Sequence, residues 1–250
     1  MAVDRHPMWK ELGMDLETHD QLCEALPAAF GDVFLSQENR PEAMAFWDMV
    51  AADVHGIRPA ELVEAQKNGQ KVFGTFCTYV PDEVVVACNG IVTGLCGGSQ
   101  FWVPDGEKYL PADMCPLIKA SLGARMGRTC PFFRIVDEIV GETTCDGKKK
   151  MYEILATDVP MHIMELPQMK RPKDIDAFAD EIALFGKNVE EVTGKQLTVE
   201  NLAEAIRIIN NRRRALQRVY ETRKNPDIIP ISGTDALLMM QIAFFDDPVR

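Results

Sequence analysis

No stretch of this 250-residue sequence is long and apolar enough to cross a bilayer. The most apolar run, Val84 to Gly98, is broken by Asn89 and four glycines. The opening residues carry Asp4, Arg5, His6, Lys10 and Glu11 and lack the apolar core of a secretory signal. A cytoplasmic chain with no membrane partner is therefore expected. Positive charge is in short supply: 27 Lys and Arg face 38 Asp and Glu, a net charge of −11. That balance argues against nucleic acid as a general partner, which needs a basic surface. There is no internal repeat and no low-complexity tract. The C-x-x-C pairs of zinc ribbons are absent, as is the tightly spaced cysteine run of ferredoxins. No G-x-G-x-x-G follows a strand, which excludes the dinucleotide fingerprint. A phosphate loop fails too, because five residues separate Gly141 from Gly147-Lys148 and Lys149 stands where Ser or Thr is needed.

What is present is an ordinary globular composition, 46% hydrophobic and 26% charged, in a chain long enough to bury a real core. Residues 11–70 read as short helices, one opening after Pro41 and one at Pro59 that stops near Asn68-Gly69. From Lys71 the pattern changes to strands alternating with helices. Strands are expected at Val72 to Phe76, Ile91 to Leu95, Asp137 to Glu142 and Pro160 to Glu165. Helices are expected over Val84 to Cys88, from Pro116 through Leu122, and over Asp146 to Ala156. That order predicts an α/β fold with an open, parallel, doubly wound sheet of the Rossmann or flavodoxin-like kind. Beyond Asp174 only amphipathic helices follow, Ile175 to Val192, Val199 to Arg223 and a last one from Gly233. The expected organisation is a helical cap over 1–70, an α/β domain over 71–170 and a helical segment over 171–250.

The seven cysteines carry the chemistry. Their number is odd, so disulfides cannot pair them all, and six of them fall between Cys77 and Cys145. Cys77, Cys96 and Cys145 each follow a predicted strand, at the sheet edge where open α/β folds bind ligands. Cys115 and Cys130 each precede a proline, which places a thiol at a turn or helix start. Cys145 stands before Asp146-Gly147-Lys148-Lys149-Lys150, where free backbone N–H groups and the helix dipole favour a thiolate. A metal cluster, zinc, reactive thiols and simple burial all remain open on spacing alone. Cys23 and Cys88 read as buried and inert.

Several segments resemble a known family: Gly74-Thr75-Phe76-Cys77-Thr78-Tyr79-Val80-Pro81, Leu95-Cys96-Gly97-Gly98, Glu107 to Pro111, Cys115-Pro116-Leu117-Ile118-Lys119, Thr129-Cys130-Pro131, Gly141 to Lys150, Met164 to Gln168 and Ile231-Ser232-Gly233. They are similar to the 2-hydroxyacyl-CoA dehydratase and benzoyl-CoA reductase D-component family, and the cysteine-rich pattern to its double-cubane cluster proteins. The resemblance covers about residues 60–250. It implies an iron–sulfur cluster, either [4Fe-4S] or double-cubane [8Fe-9S], fed with single electrons by an ATP-hydrolysing activator protein. By position Cys115 and Cys145 resemble the two ligands that ordinary dehydratases supply from their first domain. Cys130, then Cys77 and Cys96, are the surplus thiols that a larger cluster implies. The resemblance further implies an acyl-CoA substrate and a homo- or heterodimer.

Such proteins continue into a second α/β domain with further ligands, which is expected to begin where this chain stops at Arg250. Two function classes follow. One is part of an iron–sulfur lyase or reductase; the other is a non-catalytic, cluster-holding subunit that needs a partner. Elsewhere, His162 reads as a hydrogen-bonded core histidine, and Arg212 to Arg214 as the wet face of a helix. Lys148 to Lys150 could stabilise anionic sulfur or a CoA phosphate, though Lys149 and Lys150 read as solvated. Glu142 and Glu165 are placed at strand ends, where a proton carrier would stand.

Overall fold

The computed structural model describes residues 4–95, 98–225 and 227–250. Cys96 lies outside the described residues. The chain opens with helices α1 (His6–Glu11), α2 (Leu16–Phe30), α3 (Met44–Ala52) and α4 (Ile57–Lys67). Then β1 (Val72–Thr75), α5 (Asp82–Ala87) and β2 (Ile91–Gly94) form the first strand–helix–strand unit. Two crossovers follow: α6 (Val103–Gly106), α7 (Pro116–Met126) and α8 (Pro131–Ile135) lead to β3 (Glu138–Glu142), and α9 (Asp146–Leu155) leads to β4 (Met161–Met164). The helices α10 (Pro172–Thr193), α11 (Val199–Thr222) and α12 (Gly233–Phe245) complete the chain. Three of the longer helices start on side-chain caps. Asp15 accepts from the Thr18 N–H, Thr198 from Asn201 and Ser232 from Asp235. α10 stops at Gly194, which adopts φ +66°.

The four strands form one parallel sheet in the order β2-β1-β3-β4, with Phe73 opposite Val92 and Glu138, and Val140 opposite His162. This is the open α/β sheet expected from the alternation of elements. Both faces are buried, because successive side chains of a strand point to opposite sides. Val72 and Ile139 pack on one face against Leu22 of α2, Leu62 of α4, Leu122 of α7, Phe133 of α8 and Leu155 of α9. Phe73 and Val140 pack on the other against Val84 and Val85 of α5 and Phe185 and Val189 of α10. A third cluster joins α3 to α12 through Met44, Val50, Leu238 and Ile242.

α7 is an interior helix and its placement is tightly determined. A Cβ at Gly123 would lie 1.9 Å from the Trp102 carbonyl oxygen, and one at Gly106 would lie 2.0 Å from that of Lys119. Two glycines thus let α6 and α7 meet backbone to backbone. The two buried cations of α7 are both paired: Lys119 Nζ donates to Glu107 at 2.6 Å, and Arg125 Nε donates to Asp158 at 2.5 Å.

Arg212 departs from the expected wet face, while Arg213 stays exposed on it. Arg212 is mostly buried and bonds Asp82, and Arg213 bonds Glu83, so both clamp α11 onto the acidic first turn of α5. Arg214 reaches only Asn211, within its own helix. Among the described residues no helix is long and apolar enough to cross a membrane.

Candidate functional site

In this strand order β1 connects to β2 on one side, while the later crossovers carry the chain to β3 and β4 on the other. The gap beyond the carboxyl ends of β1 and β3 is therefore a topological switch point, the usual ligand crevice of such sheets. Cys77 follows β1 and Cys145 follows β3, so these two thiols flank it.

Cys145 is the N-cap of α9, with an extended backbone (φ −151°, ψ 153°) and an exposed side chain. The Lys148 N–H donates to its Sγ at 3.4 Å, so the sulfur already holds one of the helix's free donors. Cys115, also exposed, is the N-cap of α7, with Pro116 as the first helical residue. The first turns of these two helices touch. A Cβ on Gly147 would lie 2.7 Å from Ile118 Cδ1 and 2.9 Å from Met114 Sδ, and the absence of that carbon lets them close. Two exposed thiols, 30 residues apart in sequence, thereby stand on adjoining helix starts.

Behind Cys145 lies the fully buried Glu142, the last residue of β3. Its carboxylate takes Lys148 Nζ and the Thr144 hydroxyl (3.1 Å), with the Tyr152 hydroxyl 3.4 Å away. Burial, and then the Glu142 charge, push the Tyr152 phenol far above its ordinary range, so it stays protonated. Lys148 is thus engaged with Glu142, while Lys149 pairs with Asp146 at 2.8 Å and Lys150 with Glu153. Beside this group a cleft of about 390 Å³ opens between Tyr79, Thr143, Thr144, Leu166, Met169 and Phe178.

The other cysteines are placed differently. Cys77 is half-buried and borders a separate cleft of about 240 Å³, shared with Asp82, Arg212 and Phe244. Cys130 caps α8, three residues past Gly127 at the far end of α7. It is buried in the core, and burial pushes its thiol up to about 11 despite the N–H groups of Phe133 and Phe132. Cys88 is buried in the second core as expected. His162 rests against Phe185 with ring centres 5.3 Å apart, and its Nε2 has no hydrogen-bond partner.

Cys23 is not fully buried in the core. It is half-buried, and its Sγ lies 3.5 Å from His19 Nε2, which is 3.0 Å from His55 Nδ1. Among the described residues this is the one trio of ligand-type atoms within 4.8 Å of one another. The spacing His19-x-x-x-Cys23 on a helix was its only trace in the sequence, since His55 comes from a distant turn.

The fold is that of an open α/β protein with Cys77 and Cys145 following strands at the carboxyl edge of its parallel sheet. Residues 77–250 match the family model of the 2-hydroxyglutaryl-CoA dehydratase D-component, and the chain belongs to that family. It is 38% identical over 186 residues to YjiM of Escherichia coli K12, which bears the name of a dehydratase subunit; the match covers 74% of this chain and 48% of that protein. It is 24% identical over 177 residues to the beta subunit of (R)-2-hydroxyglutaryl-CoA dehydratase from Acidaminococcus fermentans, covering 68% of this chain and 46% of the relative. Against the beta subunit of (R)-phenyllactyl-CoA dehydratase from Clostridium sporogenes the identity is 22% over 187 residues, covering 73% and 48%. The chain spans about half the length of the curated relatives it matches. All three relatives are named as subunits.

Proposed function

We propose that this chain is the part of a 2-hydroxyacyl-CoA dehydratase-type enzyme that supplies cysteine ligands to an iron–sulfur cluster from its first α/β domain. The observation that carries this is the pair Cys115 and Cys145, exposed on helix starts that touch through Gly147. Their donor chemistry fits the group: soft thiolates, each at a helix N-terminus, suit iron, and an N–H bond to sulfur is a recognised means of tuning a cluster. Cys115 and Cys145 are the leading ligands in this proposal; Cys130, buried past the far end of α7, joins them only if the core around it opens, with Cys77 and Cys96 contributing if the cluster is a larger, double-cubane one. When bound, such a cluster supplies single low-potential electrons, delivered by an ATP-hydrolysing activator. The chain's own residues hold the thiols in place, and Glu142 keeps Lys148 oriented beneath Cys145. The cleft of about 390 Å³ beside Thr144 is the place for the acyl part of a CoA thioester.

Cys145→Ser should remove most of the iron bound under anaerobic conditions and leave the circular dichroism spectrum unchanged. Full retention of iron in that variant would defeat the assignment. A second reading is favoured by the relatives, which are named as subunits. In it, this polypeptide holds ligands but completes a catalytic centre only with a partner chain.

A further inference from the structure

We propose that His19, Cys23 and His55 form a mononuclear zinc site that ties α2 to the turn between α3 and α4. The site lies before residue 77, outside the segment matched by the dehydratase family model, and is independent of the cluster reading.

His19 and Cys23 are one helical turn apart on the same face of α2, the i, i+4 spacing with which helices present paired ligands. His55 enters from the turn before α4. A Cβ on Gly56 there would meet the Asp53 carboxylate, which would have to turn away. Trp9 braces both histidines, one by its backbone and the other by its ring. Its Nε1 donates to the His55 carbonyl at 2.9 Å, and its ring meets that of His19 edge-on at 4.3 Å. Asp20 Oδ1 stands 3.8 Å from His19 Nδ1, where a carboxylate orients a metal-bound imidazole.

The distances suit a tetrahedral ion. Zinc bonds of ordinary length set ligand edges of about 3.3 Å between two nitrogens and about 3.6 Å between nitrogen and sulfur. Here the nitrogens are 3.0 Å apart, and the sulfur is 3.5 Å from His19 Nε2. His19 Nε2 and His55 Nδ1 share one short contact, and Cys23 Sγ lies beside the same ring, 3.5 Å from Nε2 and 3.8 Å from Nδ1, so a rotation of the Cys23 side chain brings all three donors onto one ion. A metal ion uses all three lone pairs at once. One thiolate and two imidazoles are a donor set for zinc, not for a cubane, whose corners take thiolates. The half-buried side at Cys23 leaves a fourth position for water.

The test is metal analysis of the full chain carrying Cys115→Ser and Cys145→Ser, which removes the exposed thiols as rival sites. About one zinc per chain is expected, falling at least tenfold when Cys23→Ser or His55→Gln is added with helix content unchanged. Cobalt loaded into the chelator-stripped protein should give a thiolate charge-transfer band that Cys23→Ser abolishes. A folded protein that binds no zinc, or one that keeps it after Cys23→Ser, overturns the proposal. Should both added variants misfold, the cobalt band in the parent decides, its absence counting against the site.

Discussion

Two carboxylates of one strand show how much a single neighbour decides. Glu142 and Glu138 both lie on β3 and both are buried, but Glu142 has the Lys148 ammonium while Glu138 has only the Asn188 amide, 2.5 Å away. Burial, partly offset by that amide, raises the Glu138 carboxyl above its ordinary 4.5. Below pH 4.5 both folded and unfolded chains carry the proton and nothing is lost. As pH rises from there towards the raised folded value, the unfolded chain releases its proton first and stability falls. Glu138→Gln keeps an acceptor for Asn188 and removes the fall, so it should gain about 1 kcal/mol at neutral pH, roughly 2–4 °C in Tm. Urea unfolding of both proteins between pH 4 and 7 checks this; parallel pH profiles would contradict it. At this scale the sequence was legible where a residue's role is local. Cys145 before a Gly-Lys run announces a helix cap, and the structure puts it there. It was illegible where partners come from afar: nothing near Cys23 signals His55, and nothing near Arg212 signals Asp82.

At the scale of elements, the strands and long helices are where periodicity puts them, because burial on both faces leaves continuous apolar runs that only a few segments of the chain can supply. The short α6 and α8 escaped notice, being single turns set by backbone contact and packing. Their importance is geometric. α6 crosses α7 where Gly106 and Gly123 let the backbones touch, and that crossing sets the angle at which α7 presents Cys115. A methyl at residue 123 meets the Trp102 carbonyl oxygen and the Gly106 nitrogen, 1.9 Å and 2.9 Å away, and neither is a flexible side-chain end. Gly123→Ala should therefore cost about 3 kcal/mol, despite the better helix propensity of alanine. Chemical denaturation measures the cost, and anaerobic iron content should drop with it. A variant as stable as the parent would mean that α6 moves aside freely.

At the scale of the molecule, the question is how many ligands one chain brings to a shared centre. A cube of iron and sulfur takes four thiolates. Among the described residues only Cys115 and Cys145 are exposed, Cys77 is half-buried and Cys130 lies in the core. The relatives are about twice as long and are named as subunits. We therefore expect the isolated chain, purified without oxygen, to hold well under four irons and to give a weak cluster signal by EPR. A partner polypeptide that supplies the remaining thiolates should raise iron to about four per assembly and lengthen the cluster's survival in chelator. A full, chelator-resistant complement in the chain alone would point elsewhere: Cys77, Cys96 and Cys130 would then complete the set, and the core around Cys130 would have to open to admit iron. Hydrogen exchange over Thr129 to Ile135 separates the two cases, because only a centre that recruits Cys130 should change protection there when iron binds.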